Sequence, residues 1–463
     1  MVVKMFNTVV VGLDFPFIRE VVEKLDNEKT INISGWFISE KTFKEKVELK
    51  NQIHWRLFIQ GDINFEYNNI IPEKIHSYLR SRYSIYIDQL VRESYFENRT
   101  VPENLSAINI LVHRIYDLFV EQKVELIIFA DAPHGAYANI LYDIAKQMGV
   151  RTLIMFPCYM RDRFLYCWDL EDVGFYKKNN DIPSLNTSSS ADELIGSFEK
   201  NVFWAPEEER TIFNALNKFI STKKESINDY NLKYDGFSDY VCRHIIRLFD
   251  RINKKHTFKE ENNRLFSEKI KPGEKYVYFP MHLQPEMTTA TLGKEYNDQI
   301  LAMERVRNLI PDDWYIYIKE NPLQTYAWRD KYFYTRLKAL KNLRYLKGNT
   351  DTYELIRNCQ FVATITGTAG FEAISGGKPA LVFGLAWYRC LPGVTIYNED
   401  IRLDDILKEF SEQSLKIEFE KLEKNFIKGV IADEVFQFEK FNIEENKKVI
   451  YLFLQNIITS INE

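Results

Sequence analysis

The stretch Thr364-Ile-Thr-Gly-Thr-Ala-Gly-Phe-Glu-Ala373, followed at once by Gly376-Gly-Lys-Pro-Ala-Leu-Val-Phe-Gly384, carries the clearest structural signal in this chain. It predicts a strand, a turn of small residues, a short helix, a glycine stop and a second strand. Such a turn leaves backbone N–H groups unpaired at a helix N-terminus, where the helix dipole favours an anion. Thr366 and Thr368 add hydroxyl groups, and Glu372 lies one turn into the helix, where a carboxylate can hold a ribose. The stretch therefore predicts either a nucleotide phosphate site or an ordinary tight βαβ crossover whose glycines serve packing.

Composition limits the class of protein. The 463 residues are 45% hydrophobic and 27% charged, which is typical of a globular protein large enough for two or three domains. The net charge of −5 gives no argument for nucleic-acid binding. The five cysteines are scattered without a CxxC pair, so they predict neither a zinc site nor a disulfide framework, and a reducing cytoplasm is the simplest compartment. No apolar run approaches the ~20 residues of a membrane span, so any membrane association is expected to be peripheral.

Strand and helix patterns alternate in two parts of the chain. This alternation predicts an α/β fold with two Rossmann-like domains that face a cleft, joined by a helical connector and closed by a C-terminal helix. The predicted divisions are a first Rossmann-like domain at residues 1–185, the connector at 186–270, a second Rossmann-like domain at 271–400 and the closing helical segment at 401–463.

The predicted strands of the second domain end in polar side chains, glycines and one lysine. Open parallel sheets bind ligands at the carboxyl ends of their strands, and a structural protein has no need to place such residues there. The candidate binding residues at this edge are His282, Gln284, Pro285, Glu286, Lys319, Asn321, Pro322, Thr366, Gly367, Thr368, Ala369, Gly370 and Glu372. Two alternatives stay open. His282 can satisfy a buried backbone carbonyl, and Lys319 can be a solvated strand terminus.

The run Asp131-Ala-Pro-His134 follows a predicted buried strand of the first domain. A carboxylate and an imidazole three residues apart suit general acid–base or nucleophilic chemistry. Glycosyl transfer needs such a carboxylate near the anomeric carbon. Asp131 and His134 are therefore the candidate catalytic residues. The alternative is that Asp131 is the N-cap of the following helix, and Asp14, in the first strand–helix turn, competes for the same role.

The runs at residues 278–289, 318–322 and 363–373 resemble the capsule polysaccharide biosynthesis family. That family is similar to the bacterial Kdo (3-deoxy-octulosonic acid) transferases and the related nonulosonic-acid transferases of capsule and lipopolysaccharide assembly. The resemblance is specific across residues 276–393. It is weaker in the first domain, where it rests mainly on residues 127–134 and the helix that follows.

The resemblance implies a GT-B fold, a CMP-activated acidic sugar donor, and neither a metal nor another cofactor. It implies that Gln284-Pro285 and Asn321-Pro322 help to hold the nucleotide, and that Thr366–Gly370 binds the phosphate. Glu372 would contact the ribose, and Asp131 would be the catalytic carboxylate of a retaining enzyme. Asn321 stands where the family has a histidine. Asparagine donates a hydrogen bond but carries no charge, so a different donor stays an alternative.

The leading hypothesis is a cytoplasmic glycosyltransferase that moves a Kdo-like ulosonic or nonulosonic acid from a CMP-linked donor to a growing capsule or lipopolysaccharide glycan. Its expected partners are the nucleotide-sugar donor and a glycan or glycolipid acceptor, without nucleic acid. A peripheral position at the inner face of the cytoplasmic membrane, or in a capsule assembly complex, is compatible with it. The alternatives are a UDP-sugar-dependent transferase or epimerase-like enzyme of the same fold, and a non-catalytic glycan-binding member of a capsule assembly complex.

Overall fold

A computed structural model describes residues 4–59, 68–91, 100–157, 163–175, 191–195, 237–284, 286–326, 328–431 and 442–461. The candidate residue Pro285 and much of the predicted connector lie outside these ranges. Packing divides the chain into two compact units. The first comprises Met1–Phe164, Asn201–Arg247 and Gly429–Glu463, and the second comprises Leu165–Lys200 and Leu248–Lys428.

Five strands of the first unit are hydrogen-bonded in the order β5-β4-β1-β2-β3. They are β1 (Phe6–Val11), β2 (Ile31–Phe37), β3 (Gln52–Ile53), β4 (Leu126–Phe129) and β5 (Arg151–Pro157). Each neighbouring pair is parallel. The central strands β1 and β4 are apolar and almost entirely buried, as strands covered on both faces must be.

The helices that cover this sheet begin and end at recognisable signals. They are α1 (Pro16–Asn27), α2 (Glu40–Lys44), α3 (Trp55–Ile59), α4 (Glu73–Ser81), α5 (Tyr83–Leu90), α6 (Val101–Glu121) and α7 (Ala136–Met148). Thr100 and Glu103 form a reciprocal capping box at the start of α6. Gly149, at φ 72°, ends α7 in the left-handed conformation that glycine adopts without strain.

The second unit contains a six-stranded sheet in the order β12-β11-β10-β7-β8-β9. Its strands are β7 (Tyr276–Pro280), β8 (Tyr315–Lys319), β9 (Leu343–Leu346), β10 (Val362–Thr364), β11 (Ala380–Val382) and β12 (Val394–Ile396). All neighbouring pairs are parallel. The sequence predicts the first five of these strands at residues 275–280, 314–320, 343–347, 360–365 and 379–384, and each observed strand lies within two residues of these bounds at both ends.

Side chains of β7 alternate between two buried layers. Val277 and Phe279 belong to one apolar cluster, whereas Tyr276 and Tyr278 belong to another. Because successive side chains of a strand point to opposite faces, the two clusters cover the two faces of the sheet. Tyr276 also stacks on Tyr317 of β8, with ring centroids 4.0 Å apart. The centre of the sheet is therefore buried on both faces.

Aspartate side chains start three helices of the second unit. Asp298, Asp330 and Asp351 each accept a backbone N–H bond from the first turn of the helix that follows. The helices from residue 191 onward in the chain are α8 (Ala191–Leu194), α9 (Phe237–Leu265), α10 (Met287–Ala290), α11 (Gln299–Leu309), α12 (Lys331–Ala339), α13 (Thr352–Asn358), α14 (Thr368–Ser375), α15 (Leu403–Ile406), α16 (Glu412–Glu423) and α17 (Ile443–Ser460). Strands β6 (Arg163–Cys167) and β13 (Phe426–Lys428) lie where the chain passes from one unit to the other.

The predicted α/β class is confirmed, since each of the two Rossmann-like units contains a parallel sheet with helices between its strands. The predicted closing helix is also confirmed, and α17 packs against α1, where Lys447 Nζ lies 2.7 Å from a carboxylate oxygen of Glu20. The predicted domain boundaries stay a prediction. Across the described ranges, no helix combines the length and the apolar composition that crossing a membrane requires.

Candidate functional site

The polar edge of the second sheet lies where the strand order reverses. Strands β7, β8 and β9 follow one another in one direction, whereas β10 lies on the other side of β7. The connections that leave β7 and β10 therefore run to opposite sides. In open parallel sheets this topological switch point is where ligands bind. The segments that begin at His282 and at Thr366 both lie at this point.

The turn after β10 has the geometry of an anion site. Helix α14 begins at Thr368, and its N-cap, Gly367, has no side chain to satisfy the first N–H groups. The Gly367 N–H itself donates to Thr364 Oγ1 at 3.2 Å. Within the described part of the chain, the N–H groups of Thr368 and Ala369 make no hydrogen bond. Two donors and the positive end of the helix dipole thus lie together.

Close packing explains one glycine of this turn. A Cβ on Gly370 would collide with the hydroxyl of Tyr388, which is fully buried and donates to the Gly367 carbonyl. Thr366 donates its hydroxyl to the Thr288 carbonyl at 2.9 Å, so it fixes the turn instead of offering a donor. A phosphate site and a tight crossover whose glycines serve packing are thus compatible interpretations of this stretch. Glycine packing holds the turn in the shape that leaves its N–H groups unpaired.

His282 joins the segment after β7 to this turn. The ring is buried, and Nε2 accepts the Ile365 N–H at 3.2 Å and lies 2.8 Å from Thr364 Oγ1. Because a backbone N–H only donates, Nε2 is unprotonated and the ring proton is assigned to Nδ1. Burial, and next the positive charge of Arg329, lower the pKa of His282 to about 4. At Nε2 the ring thus accepts a backbone N–H instead of donating to a buried carbonyl.

Gln284 holds its own segment in place. Its amide nitrogen donates to the Asn297 carbonyl at 2.6 Å and to Asn297 Oδ1 at 3.2 Å. Its Oε1 accepts from Gln299 Nε2 at 2.6 Å and from Arg329 Nη1 at 3.0 Å. Its backbone N–H and C=O both pair with the side-chain amide of Gln324 at 2.8 Å. With all its polar groups engaged, Gln284 positions a predicted binding segment without offering its side chain to a ligand.

Glu286 has a similar local role, because it is the N-cap of α10. Its carboxylate accepts the Thr288 N–H at 3.1 Å and also the Thr288 hydroxyl. The carbonyl of Thr288 in turn accepts the bond from Thr366. The segments after β7 and β10 are therefore connected at two places.

Lys319 and Glu372 supply opposite charges near the turn. Lys319 is half-buried, and its Nζ donates to the Thr350 carbonyl at 2.9 Å and to Thr352 Oγ1 at 2.7 Å. The alternative of a solvated strand terminus is therefore wrong. Burial lowers the pKa of Lys319, against the opposing effect of the Asp351 and Glu372 carboxylates. Burial raises the pKa of Glu372, while a hydrogen bond from Thr368 and the charge of Lys319 oppose that rise.

Asn321 follows β8 in a fixed turn. Its side-chain oxygen accepts the Leu323 N–H at 2.9 Å, and its own N–H donates to Glu320 Oε1 at 2.9 Å. This arrangement leaves the side-chain NH₂ group as the part of Asn321 that can reach a ligand. Pro322, the next residue, is exposed.

The side chains that hold these segments together, Arg329 and Gln299, are not among the residues predicted from the sequence. Arg329 is fully buried, with Nε 2.7 Å from one oxygen of Glu320 and Nη2 3.1 Å from the other. Gln299 pairs with both the N–H and the C=O of His282, at 2.8 and 3.0 Å. Glu320 lies in the run at residues 318–322 that resembles the family. Its partner Arg329 is a single arginine in a loop, and no sequence spacing indicates that the two side chains pair.

The first unit contains the candidate catalytic pair after β4. Asp131 Oδ1 accepts the Ala132 N–H at 2.7 Å, and Oδ2 lies 4.0 Å from His134 Nδ1. His134 Nδ1 lies 3.0 Å from the Ala132 carbonyl, which assigns the ring proton to Nδ1 and leaves Nε2 to accept a proton. The N-cap of α7 is Gly135, without a side-chain bond. The alternative that Asp131 caps this helix is therefore wrong.

Asp14 and Asp131 follow the adjacent strands β1 and β4, but their exposure differs. The side chain of Asp131 is 37% exposed and that of His134 is 57% exposed. Asp14 is only 2% exposed, and its Oδ2 accepts both the N–H and the hydroxyl of Ser39, at 2.7 and 2.8 Å. Access to a substrate therefore favours Asp131. Among the described residues, no group of three or more His, Cys, Asp or Glu side chains is placed to hold a metal ion.

These features define a parallel α/β protein with a turn of unpaired backbone N–H groups at the switch point of its second sheet. The chain belongs to the capsule polysaccharide biosynthesis protein family, whose model matches residues 136–413. The family resemblance read from the sequence is therefore confirmed. No curated protein matches the sequence.

Solved structures similar to this chain include two kinds of enzyme. The beta Kdo 2,7 transferase of Thermosulfurimonas dismutans KpsC is 12% identical, with 73% of this chain and 88% of that chain covered and a TM-score of 0.32. The beta Kdo 2,4 transferase of the same KpsC is 12% identical, with coverages of 65% and 84% and a TM-score of 0.28. The UDP-GlcNAc 2-epimerase of Methanocaldococcus jannaschii is 11% identical, with coverages of 97% and 99% and a TM-score of 0.23.

The contact between Gly370 and Tyr388 predicts the effect of a single methyl group. Gly370→Ala would raise helix propensity by up to ~1 kcal/mol, but the clash should cost more and lower the free energy of unfolding by about 1–3 kcal/mol. Adding Tyr388→Phe removes the clashing oxygen and should recover part of that loss. Urea denaturation of the single and double variants measures both effects. Gly348→Ala, at a site where a Cβ meets nothing within 4 Å, is the control and should be near neutral.

The burial of His282 predicts a pH dependence of stability. Its pKa is about 4 in the fold against an ordinary 6.5, so the unfolded chain binds more protons between these pH values. The contribution of neutral His282 to the free energy of unfolding should be fully present above pH 6.5 and should be lost as the pH falls toward 4. This contribution has an upper limit on the order of 3 kcal/mol. Denaturation across this range should show a shallower acid loss for His282→Gln than for the wild type. The control variant His256→Gln changes an exposed histidine and should lose stability with falling pH as the wild type does. The assignment would be wrong if His282→Gln lost stability as steeply as the wild type, or if His256→Gln differed from it.

Proposed function

We propose that this chain is a glycosyltransferase whose second unit binds the nucleotide of an activated sugar donor. The observation that carries the proposal is the turn at Gly367–Ala369, where unpaired N–H groups lie at a helix N-terminus on the switch point of a parallel sheet. Lys319 adds a positive charge nearby, and Glu372 adds a half-buried carboxylate suited to ribose hydroxyls. An anionic phosphate next to a ribose fits this set of groups.

The donor that we favour is a CMP-linked ulosonic or nonulosonic acid of the Kdo type. Membership of the capsule polysaccharide biosynthesis family supports an acidic sugar and a glycan acceptor. When the sugar leaves CMP, negative charge develops on the phosphate. Fixed N–H dipoles and the Lys319 cation stabilise that charge best because they are already oriented before the reaction. No metal is needed for this stabilisation in the proposed reaction.

In the proposed reaction, Asp131 and His134 of the first unit carry out the chemical step. In a retaining course, a carboxylate oxygen of Asp131 attacks the anomeric carbon as the bond to CMP breaks. The acceptor hydroxyl then displaces Asp131 from that carbon, and His134 Nε2 accepts the hydroxyl proton. The placement of the ring proton on Nδ1 supports this role for Nε2. We place the reaction in the cytoplasm, with the acceptor a growing capsule or lipopolysaccharide glycan and any membrane association peripheral.

A second candidate is a UDP-sugar-dependent transferase or an epimerase-like enzyme. Asn321 favours it, because this residue offers an uncharged NH₂ group where the family resemblance implies a histidine. A different base or a different sugar can suit such a donor group. The two candidates differ in the nucleotide that they bind.

Calorimetric titration with CMP, UDP and GDP in the presence of EDTA separates the candidates. We expect selective binding of CMP without metal. Lys319→Met should weaken it by about tenfold or more because a charge-assisted contact is lost. Lys338→Met is the matched control, since that lysine pairs with Glu261 on the surface. Preference for UDP would support the second candidate, and binding of no nucleotide would refute both in favour of a non-catalytic role.

Asp131→Asn tests the chemical step. The variant should bind CMP as the wild type does, yet lose transfer from CMP-Kdo to a glycan acceptor by at least about 100-fold, because an amide is not a nucleophile. Product formation measured with labelled donor gives the rate, and circular dichroism shows whether the fold is intact. Full transfer by a folded Asp131→Asn protein would refute the role of this carboxylate.

A further inference from the structure

One buried ion pair connects three of the segments assigned to the nucleotide site. Arg329 is fully buried and Glu320 is 7% exposed. The guanidinium reaches both carboxylate oxygens, with Nε 2.7 Å from Oε2 and Nη2 3.1 Å from Oε1. Both residues lie in loops, so neither is fixed by helix or strand hydrogen bonds. The pair therefore joins the two loops to each other directly.

The carboxylate of the pair orients the segment after β8. Glu320 Oε1 accepts the backbone N–H of Asn321 at 2.9 Å, in addition to the bond from Arg329. Asn321 then accepts the Leu323 N–H through its side-chain oxygen. The position of the Asn321 NH₂ group thus follows from the position of Glu320.

The guanidinium of the pair holds the segment after β7. Arg329 Nη1 donates to Gln284 Oε1 at 3.0 Å, and Nη2 lies 3.4 Å from the His282 carbonyl. The side-chain amides of Gln299 and Gln324 pair with the backbone of His282 and Gln284 at 2.8–3.0 Å. Gln284 Oε1 and the His282 carbonyl oxygen each accept hydrogen bonds from both Arg329 and Gln299.

From His282 the connection continues to the turn after β10. Its Nε2 accepts the Ile365 N–H and faces the Thr364 hydroxyl, and that hydroxyl oxygen accepts the Gly367 N–H. Gly367 is the N-cap of α14, so its position sets the direction of the unpaired N–H groups of the next two residues. A continuous series of hydrogen bonds thus runs from Glu320 to the anion-binding turn.

The physical chemistry of buried charges argues that this pair serves geometry. Removing an arginine and a carboxylate from water is costly, and a well-packed apolar pair of similar volume often gives equal or greater stability. A planar guanidinium, however, offers five N–H donors in a fixed fork, which an apolar side chain or a lysine does not. Arg329 uses that fork on Glu320, Gln284 and His282 at once.

We propose that Arg329, paired with Glu320, is a positioning residue that sets the His282 ring and the Gly367 turn for nucleotide binding. This inference rests on the proposed nucleotide site and adds residues to it that do not touch the ligand. Arg329 is too buried for such a contact, so it acts through His282, Gln284 and Asn321.

The test uses two variants and one matched control. The double variant Glu320→Gln/Arg329→Met removes both charges and so leaves none unpaired. Arg329→Lys keeps a charge opposite Glu320 but has one nitrogen in place of the fork. Arg264→Met is the control, since that arginine is 64% exposed and pairs with Glu261 on the surface. Three quantities are measured on each folded protein: hydrogen exchange of the Gly367 amide, the tautomer of His282 by ¹⁵N NMR, and the Kd for CMP.

In both site variants we expect the Gly367 amide to exchange faster and the His282 ring to lose its single Nδ1–H tautomer. We also expect both variants to bind CMP about tenfold more weakly, an effect typical of residues coupled in one hydrogen-bond network. Arg264→Met should match the wild type in all three. If the double variant fails to fold, Arg329→Lys decides the question. If the variants melt earlier but keep the wild-type exchange, tautomer and affinity, the pair only stabilises the fold and the proposal is wrong.

Failure of the nucleotide assignment would be visible separately. A wild-type protein that binds no CMP would refute the proposed function, whereas Gly367 exchange and the His282 tautomer would still report on Arg329 in the free protein. If those two quantities changed in the site variants, the positioning of the turn would stand without its ligand. If they did not change, the positioning proposal would be refuted as well.

Discussion

The parallel pairing of β10 with β7, at Val362 and Tyr278, is the constraint on which the site depends. The paired residues are 84 positions apart in the chain (362 − 278). Their pairing brings the carboxyl ends of the two strands together at the switch point of the sheet. Polar groups that collect at such an edge are partly buried and must find partners. His282 meets this requirement by accepting the Ile365 N–H, which ties the two strand ends to each other.

Charge at this edge comes from Lys319 and from the start of α14, because His282 is neutral. A protonated imidazole would lie buried beside Arg329, and both burial and that charge oppose it. A helix N-terminus is equivalent to roughly half a positive charge, and it is fixed in direction by the backbone. The site can therefore attract a phosphate without the cost of a second buried cation.

Strand and helix positions between residues 275 and 384 were predictable because alternating apolar runs and polar turns have a clear period in that region. The collection of polar residues at one edge of the second sheet was predictable because it follows from the positions of the strand ends. The roles of Gln284 and Arg329 were not predictable, since they depend on the direction of side-chain hydrogen bonds across 45 residues. The N-cap alternative for Asp131 failed for a local reason, as Gly135 at φ 87° starts α7 instead.

A crystal structure of the protein grown with CMP in the presence of EDTA would show directly whether the turn at Gly367–Ala369 binds a nucleotide. We expect the phosphate within hydrogen-bonding distance of the Thr368 and Ala369 N–H groups, with the ribose hydroxyls facing Glu372. A nucleotide bound away from the switch point of the second sheet would refute this assignment, as would a crystal with no nucleotide at this turn.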